Sequence, residues 1–189
     1  HPNVASLHLN SNVGFHMPAT MNEIDLPHVF YLHMGNNSSP LPSTLGPRQL
    51  PLIKFLYIDG NKLPYGRLPA EFENTGKTLQ KLGFARTGMV QFPTVNFWSS
   101  FSKLGYIDAR GNSVSNISSG VGSWLEAQGV ENYFSGNPIC GNGHTERGIN
   151  CERLCSEFCW SRNSNTNRVC DITCDSAVCE MDGGECKVR

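Results

Sequence analysis

The apolar positions of the first 112 residues recur in one frame. Val4, Leu7 and Leu9 precede Asn12; Val29, Leu32 and Met34 precede Asn37; Ile53, Leu56 and Ile58 precede Asn61. Leu79, Leu82 and Phe84 precede Thr87, and Leu104, Ile107 and Ala109 precede Asn112. The leading apolar residues lie 25, 24, 26 and 25 positions apart. The next step lands on Gly129, where the frame decays, yet Phe134 and Asn137 fit its end. Within each frame the apolar residues alternate, the period of a strand with one buried face. Each frame therefore predicts a short strand with an inward pair, then a turn at the Asn. The chain returns through an apolar-Pro pair: Met17-Pro18, Leu41-Pro42, Leu68-Pro69 and Phe92-Pro93, with Ile117-Ser118 in the fifth frame. Proline has no amide proton and cannot extend a sheet, so it suits a return path.

A constant period of this length with L-x-x-L-x-L-x-x-N is the leucine-rich repeat signature, and residues 1–139 resemble such a domain. The resemblance implies a solenoid of about five full coils and a degenerate last coil. A short parallel β-sheet is expected on its concave face and an irregular return side opposite. In this family the Asn residues form a ladder whose amides satisfy backbone groups of neighbouring coils. Thr87 replaces Asn in the fourth coil, so the ladder is expected to be weaker there. Tyr133-Phe134-Ser135-Gly136-Asn137-Pro138-Ile139-Cys140 resembles the ending of many extracellular leucine-rich repeat domains. A degenerate last coil is what a cap looks like, and Gly129 and Asn132 stand where apolar residues are expected. The sequence opens within a repeat, so the first coil is expected to expose an apolar end to upstream coils or a neighbouring molecule.

Side chains between the inward ones face outward onto the sheet. That face collects Tyr31, His33, Phe55, Tyr57, Tyr106 and Tyr133. Aromatic groups with few charges are the usual make-up of a protein contact surface, so these six are the candidate partner-binding residues. The competing explanation is that aromatic side chains stabilise a bare sheet by packing on their neighbours. His8 and His33 share a column on adjacent coils, which is compatible with a shared metal but more often describes an exposed pair.

All eight cysteines follow position 139. From Cys155 to Cys186 they read C-x3-C-x10-C-x3-C-x4-C-x6-C and end in Asp182-Gly183-Gly184-Glu185-Cys186. Such a short segment needs covalent or metal staples to fold. Zinc is the rival staple, but C-x2-C pairs are missing and the acidic ending offers hard oxygen ligands. The segment resembles the Notch-type cysteine repeat (LNR), a module with three disulfides and one Ca2+. The resemblance implies the pairs Cys155–Cys179, Cys159–Cys174 and Cys170–Cys186, with Cys140–Cys151 closing the solenoid outside the module. Cys151 stands as close in sequence as Cys155 and is the alternative partner for Cys179. The same resemblance implies Asn167, Asp182 and Glu185 as side-chain Ca2+ ligands, completed by carbonyls of the 161–167 loop. The expected organisation is a solenoid over 1–139, a disulfide cap or linker over 140–154 and the cysteine repeat over 155–189.

Disulfides and Ca2+ together place the chain outside the cell. The net charge is −1 and 16% of residues are charged, which gives no electrostatic case for nucleic acid. No apolar run reaches the roughly 18 to 20 residues needed to span a bilayer. His1-Pro2-Asn3 is not a secretion leader, so a processed product or fragment is expected. Three sequons occur at Asn36, Asn37 and Asn116. Asn37 is a ladder residue, which leaves Asn116 first and Asn36 second as glycan acceptors. There is no G-x-S-x-G, and His144 and Glu146 lack a second histidine at helical spacing. The sequence therefore reads as a non-enzymatic extracellular module. It is expected to bind a protein partner through the concave face or, alternatively, to stack through its first coil as a fibre subunit.

Overall fold

The computed structural model describes residues 4–12, 14–15, 26–37, 40–42, 45–46, 50–141 and 147–151. They belong to one compact unit, His1–Cys151. The Met17-Pro18 return, the loop holding His144 and Glu146, and the whole Notch-type segment with its expected Ca2+ ligands and disulfides lie outside the described residues.

Six three-residue strands form one parallel sheet in sequence order: β1 (Ser6–His8), β2 (Tyr31–His33), β3 (Phe55–Tyr57), β4 (Lys81–Gly83), β5 (Tyr106–Asp108) and β6 (Glu131–Tyr133). The register pairs Leu7 with Leu32, Leu32 with Leu56, Leu56 with Leu82, Leu82 with Ile107 and Ile107 with Asn132. Each strand thus pairs with the strand one sequence period later, and the chain advances coil by coil. Leu32, Leu56, Leu82 and Ile107 are buried, as are the next inward residues Met34, Ile58, Phe84 and Ala109. The core between sheet and return side is filled by Phe72, Phe84, Phe92, Trp98, Phe101 and Phe134. Phe92 stacks on Trp98 at 5.2 Å and meets Phe134 edge-on at 4.9 Å, geometries that aromatic quadrupoles favour.

Backbone pairing continues past each strand into a turn. Asn36 N–H donates to Asp59 O, Gly60 N–H to Ala85 O, Arg86 N–H to Arg110 O and Gly111 N–H to Ser135 O, at 2.6–2.9 Å. The residue before each ladder position is left-handed: Ser11, Asn36, Gly60, Arg86, Gly111 and Gly136 have φ of 54–77°. Glycine enters this region without penalty, and Asn is the next most tolerant residue. The left-handed turn directs the ladder side chain inward. Asn61 donates to Met34 O at 2.7 Å and Ile58 O at 3.0 Å, bridging two coils. Asn112 does the same to Phe84 O and Ala109 O, and Asn137 to Ala109 O and Phe134 O. The Thr87 hydroxyl has one proton; it reaches Phe84 O in its own coil at 2.9 Å and Asn112 Oδ1 at 3.1 Å. Among the described residues its side chain makes no hydrogen bond back to the coil of β3.

The return side is not irregular throughout, which corrects the expectation above. Helices α1 (Val95–Trp98) and α2 (Val121–Ala127) occupy it in the fourth and fifth coils. Trp98 from α1, and Val121 and Leu125 from α2, are buried, so these turns anchor themselves by apolar contacts that the strand frame does not reveal.

The sixth coil is closed by residues 147–151. Phe134 N–H donates to Asn150 O at 2.8 Å, Ile149 is buried, and Cys140 and Cys151 form a disulfide. The backbones of Gly122 and Gly148 meet directly, leaving no room for a Cβ on either. Asn132, at an inward position, is buried and fully engaged. Its amide donates to Val130 O at 3.1 Å and Gly148 O at 3.0 Å, while its Oδ1 accepts from Asn150 N–H at 2.9 Å. A polar residue here is the last coil's bond to its cover, not a defect of the frame.

Candidate functional site

Every strand is three residues long with its central side chain inward, so positions one and three face outward. Stacking with a fixed register turns these positions into columns. The first column holds Ser6, Tyr31, Phe55, Lys81, Tyr106 and Glu131; the second holds His8, His33, Tyr57, Gly83, Asp108 and Tyr133.

The six residues expected to bind a partner all lie on this face, but they fall into two groups. Tyr31, His33, Phe55 and Tyr57 form one continuous patch that His8 extends. Ring centroids are 4.8 Å apart for His8–Tyr31, 5.8 Å for Tyr31–Tyr57, 6.1 Å for Tyr31–Phe55 and 5.6 Å for His33–Tyr57. Tyr106 and Tyr133 form the second group, 5.7 Å apart. Two cations join it: Lys81 Nζ lies 5.1 Å from the Tyr106 ring and Arg110 Cζ 5.8 Å from the Tyr133 ring.

Exposure separates the six further. Tyr31, Phe55, Tyr57 and Tyr133 are half-buried, whereas Tyr106 retains 5% of its surface and His33 9%. By frame Tyr106 points outward, away from the core. It is instead almost fully buried, with Lys81 and Tyr133 against its ring, so it supports the sheet more than it presents a surface. Burial, and then the proximity of His8, lower the His33 pKa, which favours neutral imidazole there. The His8 and His33 rings stand 6.4 Å apart, and no cluster of three metal-ligating side chains occurs among the described residues.

Gly83 separates the two groups, and its missing side chain is used by its neighbours. A Cβ there would lie 2.7 Å from Tyr57 Cδ1 and 3.0 Å from Asp59 Oδ2. Two carboxylates flank this notch. Asp108 is buried and held by Arg110 through a 2.9 Å bond to Nε and a 2.6 Å bond to Nη2. That hydrogen bond raises the Arg110 pKa. Asp59 accepts the Ala85 N–H at 2.7 Å. Desolvation first, and the neighbouring Asp108 second, push the Asp59 carboxyl up to about 6, against the pull of the Ala85 bond. The apolar period alone carries no signal for the coupling of these two acids, which sit two coils apart.

At the edge where the strands begin, an open groove of about 440 Å3 is lined by Phe55, Lys81, Lys103, Gly105, Tyr106 and Glu131, among others. Lys103 and Gly105 precede β5, outside the alternating positions, so the strand frame carried no signal for them. The glycan candidates Asn116 and Asn36 are both exposed, and Ile117 between Asn116 and Ser118 is buried. The Asn37 amide donates to Leu9 O and Met34 O, so that sequon is already committed to the ladder. Among the described residues no helix is long and apolar enough to cross a membrane.

No protein-family model matches the chain, and no curated protein matches it significantly.

Proposed function

We propose that this chain is an extracellular, non-enzymatic recognition module: a leucine-rich repeat solenoid with a disulfide-closed end, followed by a Notch-type cysteine repeat. The observation that carries this reading is the ring-to-ring patch of His8, Tyr31, His33, Phe55 and Tyr57 on the outward face of the sheet. Its half-exposed members are packed on one another, so little side-chain entropy is lost when a partner covers them. The donor set Asn167, Asp182 and Glu185 is all oxygen, which fits a hard cation such as Ca2+. In the proposed module these side chains hold the ion, and the ion supplies a fixed charge that organises a segment with little apolar core.

The test is capture of a partner from native extracellular material by the full chain, with Tyr31→Ala and Tyr57→Ala variants beside it. Loss of capture with unchanged circular dichroism supports the patch as the binding site; undiminished capture by the double variant rejects it. Tyr106→Ala belongs with the stability controls, because that ring is buried. Self-association is the alternative outcome. The inward residues of the first coil, Val4, Leu7 and Leu9, are only partly buried, unlike their counterparts in β2 to β5. Particles growing with concentration in the micromolar range would favour assembly over capture of a separate partner.

A further inference from the structure

We propose that the groove at the strand-start edge is a subsite for an acidic peptide segment of the partner. It takes an apolar or aromatic side chain against the half-exposed Phe55 ring, and a neighbouring carboxylate between Lys81 and Lys103. The inference rests on the reading of the sheet as a recognition surface and names the partner's chemistry.

Space, floor and charge each contribute. The groove measures about 440 Å3, enough for one or two side chains. Gly105 lines it with bare backbone, and the space beside its Cα is open: a Cβ there would meet only Gln80 O, at 4.0 Å. Phe55 supplies the accessible apolar floor, and the buried Tyr106 ring supports the groove from beneath Lys81. Lys81 is half-buried, and its ammonium group lies 5.1 Å from the Tyr106 ring centroid, on the groove side of that ring. Lys103 is exposed and makes no ion pair among the described residues. Glu131, the acid among the lining residues, accepts from the Tyr133 hydroxyl and keeps its charge, so the lining carries two cations against one anion. Two cations beside an apolar floor attract a carboxylate more strongly than bulk water would allow, and a basic segment is repelled. Strand addition is a poor fit at this edge. Lys81 N–H and Gly105 N–H donate to Lys54 O and Gln80 O, and Gly105 O accepts from Glu131 N–H. Recognition must therefore run through side chains.

The probe is an acetylated heptapeptide with Glu-Phe-Glu at its centre and Gly and Ser flanks, titrated into the full chain and followed by amide NMR. A Gln-Phe-Gln counterpart runs beside it. Saturable shifts at the Gly105 and Tyr106 amides are expected, with the Gln peptide at least about tenfold weaker, the equivalent of one lost charge-assisted contact. Lys81→Ala with Lys103→Ala should reduce the Glu peptide to the level of the Gln peptide. Gly105→Trp should abolish both by filling the groove. Gly105 is not among the left-handed glycines, so the backbone tolerates that change. Equal affinity for the two peptides, or shifts confined to Tyr31 and Tyr57, overturns the subsite. Partner capture separates this inference from the broader one. Capture lost in Tyr57→Ala but retained in Gly105→Trp overturns the subsite and leaves the recognition surface standing.

Discussion

Asn132 and Asn150 are joined by a 2.9 Å hydrogen bond from the backbone N–H of Asn150 to the side-chain Oδ1 of Asn132. The same side chain donates to Gly148 O at 3.0 Å. One buried carboxamide thus fastens the closing segment to the last strand, at a position filled by Leu or Ile in β1 to β5. Asn132→Leu restores the apolar frame yet removes the partners of the part-buried Asn150 N–H and Gly148 carbonyl. It should destabilise the fold by about 1–3 kcal/mol, read as a lower urea midpoint at unchanged slope. A midpoint equal to or above wild type would show that the bonds to Gly148 and Asn150 contribute nothing net.

Thr87 offers the opposite experiment. Asn61 and Asn112 each bridge two coils, whereas Thr87 reaches forward to Asn112 but not back to Ile58 O. Thr87→Asn should add a bond across the β3–β4 step and stabilise by about 0.5–1.5 kcal/mol. Asn61→Ala should cost about 1–3 kcal/mol through orphaned buried groups. Thermal unfolding of the two variants at equal concentration checks both signs.

Asp59 gives a pH signature. Its carboxyl is raised to about 6 in the folded chain, above its ordinary value of 3.8. The folded state therefore binds the proton more tightly than the unfolded state. Stability from this group is greatest below pH 4, falls as pH rises through 6, and stays lost above it. Asp59→Asn keeps an acceptor for Ala85 N–H and removes the charge. At pH 8 it should stabilise by about 1–3 kcal/mol, the value being reduced from its ceiling because Asp59 is only half-buried. The difference between variant and wild type should vanish near pH 4. A constant difference across that range would mean that the carboxyl titrates normally.

Calcium is the fourth prediction. A cation held by Asn167, Asp182 and Glu185 binds the folded cysteine repeat alone and should raise its melting temperature. Asp182→Asn should remove most of that shift. Neither heat nor a thermal shift on titrating Ca2+ into the oxidised protein would exclude the site.

The spacing of apolar residues was enough to determine which residues lie inward, which pair across the sheet and where the ladder runs. Those features depend on a period, and a period is written in the sequence. Leu32, Leu56 and Leu82 stack because they are 24 to 26 residues apart, whatever surrounds them. The return helices, the role of Asn132 and the exposure of each outward ring were decided by the tertiary structure. Tyr57 and Tyr106 are both outward by frame, yet one leans over Gly83 and stays half-exposed while the other is buried with Lys81 and Tyr133 against its ring. The groove opens beside Gly105, and the Asp59 carboxyl is raised to about 6 by its burial first and by Asp108, two coils further on, second. Exposure and charge coupling depend on the size and direction of side chains one and two periods away, and those are fixed only when the coils pack.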